Sequence, residues 1–286
     1  MDGFSTAFSE ITLVLFTTLA PSGAVAYLLM NLPVLFGRVD GTLRQRLDRL
    51  SCLPLAITMV GLIASATHLG NPSNALYVFT GVGRSPLSTE VFCAVIFLAL
   101  AGMYWLYSFA LAPRRGLQRV LLVAIDGAAV VFVIATAFAY SVDTIPAWNL
   151  SLAPVSLLLN ALVGGPLLAL AGFAGVGYRP WTRPLVALSG AALVANVAVY
   201  GCLGTQLAVM ANEMVRATDL VAGFPAYVSV FALLAGVGIV IAWRSRGCEG
   251  RSLVVRLAVA TACALAGIFL MRFTFYMAHF TVGLGV

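Results

Sequence analysis

Lysine is absent from the 286 residues, and charged side chains of all kinds make up only 9% of them. A soluble domain carries roughly 25%. With so few charges there is not enough polar surface to cover a water-soluble globule of this length, and a large soluble core is excluded. Cysteine is sparse and scattered: Cys52, Cys93, Cys202, Cys248 and Cys263 form no CxxC or Cys/His pairing. That excludes an iron–sulfur, zinc or disulfide framework by motif and leaves these thiols as small packing hydrophobes. Only two histidines occur, His68 and His279. A β-barrel would show short alternating segments, and none are present.

What the sequence has instead is long apolar runs, within a composition that is 62% hydrophobic. Several pass the ~20 residues a helix needs to cross a bilayer core of about 30 Å. Eight spans are predicted, at about 9–32, 51–69, 90–111, 120–141, 153–176, 184–210, 225–243 and 254–277. The fold class expected is all-α, one integral-membrane domain over 1–286 built as a bundle of eight transmembrane helices. The first run lacks a basic n-region, since the first arginine is Arg38, and it exceeds the ~7–15 residues of a signal h-region. It reads as a retained membrane helix. Pro166, after Gly164 and Gly165, is expected to bend the fifth span.

The sixteen arginines set a topology. Arg38, Arg44, Arg46 and Arg49 follow span one; Arg114, Arg115 and Arg119 follow span three; Arg179 and Arg183 follow span five. Arg244, Arg246, Arg251 and Arg256 flank the turn before span eight. Alternate connections put these on one side, leaving only Arg84, Arg216 and Arg272 toward the other. The positive-inside rule assigns the rich side to the cytoplasm and both termini to the periplasmic side of a bacterial inner membrane. The basic loops hold little besides arginine and read as topology determinants, not as lipid or nucleic-acid sites. The outer loops are longer and richer in other residue types, which points to a partner on that face.

Ionisable groups in a membrane are costly and are functional suspects. Glu10, His68, Glu90, Asp143, Arg272 and His279 all fall near the outer ends of spans. Taken singly, each has a plain structural reading. Glu90 follows Ser88 and Thr89 and reads either as a first-turn cap residue or as a site residue. The two histidines leave haem ligation open as a lesser alternative. Asp126 is the one acid well inside a span, about 9 Å from its cytoplasmic end at 1.5 Å per residue. It reads as an interhelical hydrogen-bond partner or as part of a proton path.

Four stretches, in order, carry a family resemblance: "HLGNPSNALYVFTGVGRSPLSTE" (68–90), "YSVDTIPAWNLSLAP" (140–154), "GGPLL" (164–168) and "RFTFYMAHFTVGLG" (272–285). Together they resemble the membrane anchor subunit of dimethyl sulfoxide reductase, the DmsC family, over essentially the whole sequence. Where that family has Asn-Arg before Val-Gly, this protein has Thr80 and Gly81, with Arg84 the candidate to supply the charge.

The resemblance implies a haem-free anchor that oxidises menaquinol. Its electrons would pass to a four-cluster iron–sulfur subunit and on to a molybdopterin catalytic subunit on the periplasmic face. His68 and Glu90 match the residues associated with quinol binding, Asp143, Arg272, Tyr276 and His279 match its other motifs, and Arg84, the substitute charge, joins them as a candidate quinol-site residue. A neutral-range imidazole suits the proton-acceptor role at His68. The competing functions are a secondary transporter, which would place its charged site at the midplane, and a purely structural anchor with a decayed quinol site.

Overall fold

The computed structural model describes residues 3–68, 72–212 and 215–280. Residues 69–71 of the first motif and 281–285 at the end of the last lie outside that set. The described residues are all-helical in architecture. A short helix α1 (Gly3–Ser9) leads into α2 (Ile11–Leu35), followed by α3 (Gly41–Leu50) and α4 (Cys52–Thr67). Then come α5 (Pro86–Tyr107), α6 (Arg115–Ala139), α7 (Ala153–Val176), α8 (Thr182–Val209) and the short α9 (Ala217–Leu220). Last are α10 (Phe224–Arg244) and α11 (Gly250–Met277). Eight segments among the described residues are long and apolar enough to cross a membrane, α3 and α4 together forming one of them.

α2 and α7 are the most enclosed spans. Neither has a polar face, which is what a helix buried on all sides requires. The hydroxyls of α2 are satisfied within the helix: Thr17, Thr18 and Ser22 donate to the carbonyls of Leu13, Val14 and Thr18 at 2.7–2.8 Å. The two helices touch where α7 has Gly164 and Gly165. A Cβ on Gly164 would lie 2.8 Å from Ser22 Oγ, and one on Gly165 would lie 2.5 Å from Val25 Cγ1. In lipid no hydrophobic drive separates helix from tail, so such close backbone approach is a main source of packing energy. α7 runs unbroken through Pro166. Around this pair, α5, α6, α8 and α10 turn exposed valines, leucines and phenylalanines outward, such as Phe92, Val131, Val194 and Leu233. On a membrane protein that belt faces acyl chains.

The stretch after the first span differs from the expected bare loop. It is helical from Gly41, capped by Asp40, whose Oδ1 accepts from the Leu43 N–H at 2.7 Å and from Thr42 Oγ1 at 2.9 Å. α3 then continues almost directly into α4. It is tied to its neighbours by Tyr104 Oη donating to Asp48 (2.7 Å), Trp105 Nε1 donating to the Arg49 carbonyl (2.8 Å) and Arg44 donating to Gln118 (3.0 Å). Arginine spacing had masked an amphipathic helix.

The first and last described helices meet at the arginine-poor end. Gly3 of α1 packs against the backbone of Leu220 in α9 and Met277 at the end of α11. That gathers the start of α2, the end of α4, the start of α5 and the end of α11 at one end of the bundle, where most of the candidate residues lie.

Candidate functional site

Helix α5 begins earlier than its hydropathy suggested, at Pro86, and its capping is complete without Glu90. Ser85 Oγ accepts from the Ser88 N–H at 3.4 Å. Thr89 Oγ1 donates to the Ser85 carbonyl at 2.9 Å and accepts from the Gly83 N–H at 3.0 Å. One residue on, Glu90 points inward and is 1% exposed. Of its two readings, the cap is taken by other side chains.

Glu90 faces Thr136 of α6 and Arg272 of α11. Arg272, 2% exposed, donates from Nε to Thr17 Oγ1 of α2 at 3.0 Å. Its guanidinium carbon lies 4.2 Å from the Phe275 ring centroid, 5.5 Å from that of Tyr276 and 5.8 Å from that of Tyr140. Four spans therefore converge on one buried acid and one buried base. The ion pairs among the described residues are Arg44–Asp48, His68–Glu10 and Arg179–Glu249, so Glu90 and Arg272 attract each other without direct contact. Among the described residues, Glu90 Oε1, Arg272 Nη2 and the Tyr276 hydroxyl are all buried without a hydrogen-bond partner. Native proteins leave few such groups, and each calls for a reason. An orphan acceptor beside an orphan donor can take a ligand that offers both.

Aromatic side chains close this cluster toward the arginine-poor end. Trp148 Nε1 donates to the Phe275 carbonyl at 2.9 Å, and its ring stacks on Phe275 at 5.0 Å. Tyr276 meets Trp148 edge-on at 5.4 Å and Tyr140 at 5.9 Å. His279 lies 5.1 Å from the Trp148 ring. It belongs to this aromatic cap and not to a pair with His68.

His68 caps the end of α4, and its Nε2 approaches Glu10 Oε2 at 3.2 Å, with both side chains partly exposed. Among the described residues Glu10 Oε2 has no aligned hydrogen-bond partner, so the contact is one of proximity. Both His68 and Glu90 were expected near the outer end of the bundle; the side chain in contact with His68 is Glu10. Glu10 and Thr17 are seven residues apart, on one face of α2 and about 10 Å apart along it. The half-exposed His68–Glu10 pair and the buried Glu90–Arg272 pair are thus two levels of one stripe.

The remaining expected residues lie apart from the pair. Arg84 lines a cleft of about 240 Å³ between the start of α5 and the end of α6, shared with Thr89, Phe138 and Ala139. Asp143 falls in the loop beyond α6 and accepts from Asn149 Nδ2 at 2.6 Å. Asp126 accepts from Asn31 Nδ2 of α2 at 2.7 Å, the interhelical bond among its two readings. Sequence reasoning missed Thr17, Thr136 and Tyr140 as site neighbours and did not pair Glu10. Tyr140 opens the 140–154 motif and could have been found there; the threonines carry no signal in an apolar run.

Comparison with known proteins bears on what this arrangement serves. The profile of the DMSO reductase anchor subunit (DmsC) family matches residues 4–277. The protein belongs to that family. Among its relatives, the C subunit of the anaerobic dimethyl sulfoxide reductase of Escherichia coli K12 is 31% identical over 282 residues, covering 97% of each sequence. The E. coli anaerobic dimethyl sulfoxide reductase subunit YnfH is 30% identical with the same coverage. The C subunit from Haemophilus influenzae is 27% identical over 285 residues, 99% of each sequence. As a DmsC-family protein with eight apolar spans, it is an integral membrane anchor subunit of dimethyl sulfoxide reductase type, of the kind used in anaerobic respiration.

Proposed function

We propose that this anchor subunit oxidises menaquinol at its arginine-poor end, the periplasmic face of a bacterial inner membrane. It hands the electrons to a four-cluster iron–sulfur subunit, and a molybdopterin catalytic subunit reduces the terminal acceptor. Quinol becomes quinone with release of two electrons and two protons, so the protein must bind a ring hydroxyl, take its protons and pass them to water. The observation that carries this reading is the pair of partnerless buried groups, Glu90 Oε1 and Arg272 Nη2. Arg272 offers a guanidinium N–H donor, and a hydroquinone hydroxyl both donates and accepts. The rings of Tyr140, Phe275 and Tyr276 supply the apolar walls that a quinone ring requires.

His68 and Glu10 serve as the proton exit. This imidazole is half-exposed beside a carboxylate, so a proton taken from the buried level can be released outside. Protons and electrons then leave on the same side, and turnover at this subunit does not itself charge the membrane. Arg84, beside the cleft at the start of α5, and Asp143 and His279 in the end cap line the face on which the iron–sulfur partner docks. The polar groups gather at one end of the bundle, unlike the midplane site of a transporter.

The assembled complex, assayed with a menaquinol analogue, tests the division of labour. His68→Ala should lower kcat about 10²-fold or more, the usual worth of a positioned acid–base group, and leave the quinol Kd nearly unchanged. Unchanged turnover removes His68 from the mechanism.

A further inference from the structure

The arginine-rich end of the bundle carries a second feature that the quinol reading does not use. The turn between α7 and α8 brings up Arg179 and Arg183, and the end of α10 with the turn after it brings up Arg244 and Arg246. All four line one cleft of about 670 Å³, together with Trp243 and Thr182. That volume lies within the ~300–1,000 Å³ typical of ligand sites.

Their partners are few. Arg179 donates to the Cys248 carbonyl at 2.7 Å and lies 3.5 Å from Glu249, itself largely exposed. Arg246 donates from Nε to the Trp243 carbonyl at 2.8 Å, and its guanidinium carbon sits 3.3 Å from the Trp243 ring centroid. This anchoring holds the side chain against the ring and leaves its terminal amines without an acceptor among the described residues. Arg183 and Arg244 are exposed, and neither is in an ion pair among the described residues. Four guanidinium groups therefore share one cleft, with Glu249 the carboxylate paired at its edge among the described residues.

Immediately toward the membrane interior, α10 exposes Val237 and Val240 on the way to Trp243. An apolar, lipid-facing wall thus leads up to a concentrated positive cleft at the level where headgroups lie.

We propose that this cleft binds the phosphodiester of an anionic phospholipid, with its acyl chains along α10. Planar guanidinium forks match phosphate oxygens and can pair with them bidentately. Basic pockets between membrane helices on this side are suited to anionic headgroups, and a zwitterionic headgroup would bring its ammonium into the same positive field. The acyl wall favours a lipid over free phosphate. The bound lipid would brace the α7–α8 turn against the α10–α11 turn, which the protein itself joins through Arg179 and residues 248 and 249.

The test uses the protein purified in detergent with the partner subunits that accompany it, stripped of lipid and titrated with dioleoyl phosphatidylglycerol. Binding is read by native mass spectrometry and by the unfolding midpoint. Arg183→Gln/Arg244→Gln should weaken phosphatidylglycerol binding about tenfold. Arg46→Gln/Arg114→Gln, two exposed arginines on the same face outside the cleft, should leave it unchanged. Equal weakening by both pairs would mean diffuse surface charge and overturn the site. Dioleoyl phosphatidylcholine binding as tightly, or inorganic phosphate at the same concentration giving the same midpoint shift, would overturn the anionic-lipid assignment.

Discussion

Removing the Arg272 guanidinium deletes three things at once, and each has a size. Its Nε hydrogen bond to Thr17 is charge-assisted and buried, of a kind worth about 1.5–3 kcal/mol. Its 4.2 Å approach to the Phe275 ring is a desolvated cation–π contact worth about 2 kcal/mol. Finally, Glu90 loses the cation that faces it. Taking one member from a buried charge pair costs about 3–5 kcal/mol in all, and Arg272→Gln should destabilise the protein by that order.

A double-mutant cycle separates the electrostatic part. Arg272→Gln and Glu90→Gln are made singly and together, and unfolding free energies are measured in one detergent. If the two charges stabilise each other, the double variant is more stable than the sum of the single losses predicts, by about 1–3 kcal/mol. Arg272→Lys, which keeps the charge but loses the guanidinium fork and its planar stacking, should fall between wild type and Arg272→Gln. Strict additivity in the cycle would refute the pairing of Glu90 with Arg272.

Two further outcomes follow from the scaffold. Gly165→Ala forces a Cβ to within 2.5 Å of Val25 at the α2–α7 crossing and should cost about 1–3 kcal/mol by overpacking. Gly190→Ala on α8, where nothing lies within 4 Å, should leave the unfolding midpoint unchanged or raise it; equal losses at the two positions would contradict the packing. At the start of α3, the Leu43 backbone N–H and then the Thr42 hydroxyl hold the Asp40 carboxyl below its usual value. Its stabilisation is therefore full above the ordinary carboxylate pKa and lost as pH falls through the lowered one. Hydrogen exchange should show α3 amides losing protection on acidification in the wild type and less so in Asp40→Asn, which still caps. Parallel loss in both would dissociate Asp40 from that response.

The spans were legible because ~20-residue apolar runs leave little choice of structure in a bilayer, and arginine alternation fixed which ends lie together. Boundaries were read less well where chemistry other than hydropathy sets them. α5 starts at Pro86 because Ser85 caps it, four residues before the apolar run becomes obvious. α3 was missed because four arginines in thirteen residues read as a loop, although Asp40 and Thr42 are ordinary capping residues. In the site, Arg272 and Glu90 were found because a charge in an apolar run is conspicuous. The pairing of His68 with Glu10 could not be read from either motif, since it brings the end of α4 to the start of α2, outside the stretches that carry the motifs. Thr17 and Thr136 were invisible for a simpler reason: a hydroxyl that bonds to its own helix carries no pattern outside it.

The quinol Kd of the assembled complex, measured with a menaquinol analogue in wild type and in Glu90→Gln, bears most directly on the role of the buried pair. If Glu90 and Arg272 hold the ring hydroxyl, the substitution replaces the carboxylate acceptor and should raise Kd at least about tenfold, the equivalent of a lost charged hydrogen bond. An unchanged Kd in a variant that folds and assembles normally would contradict it.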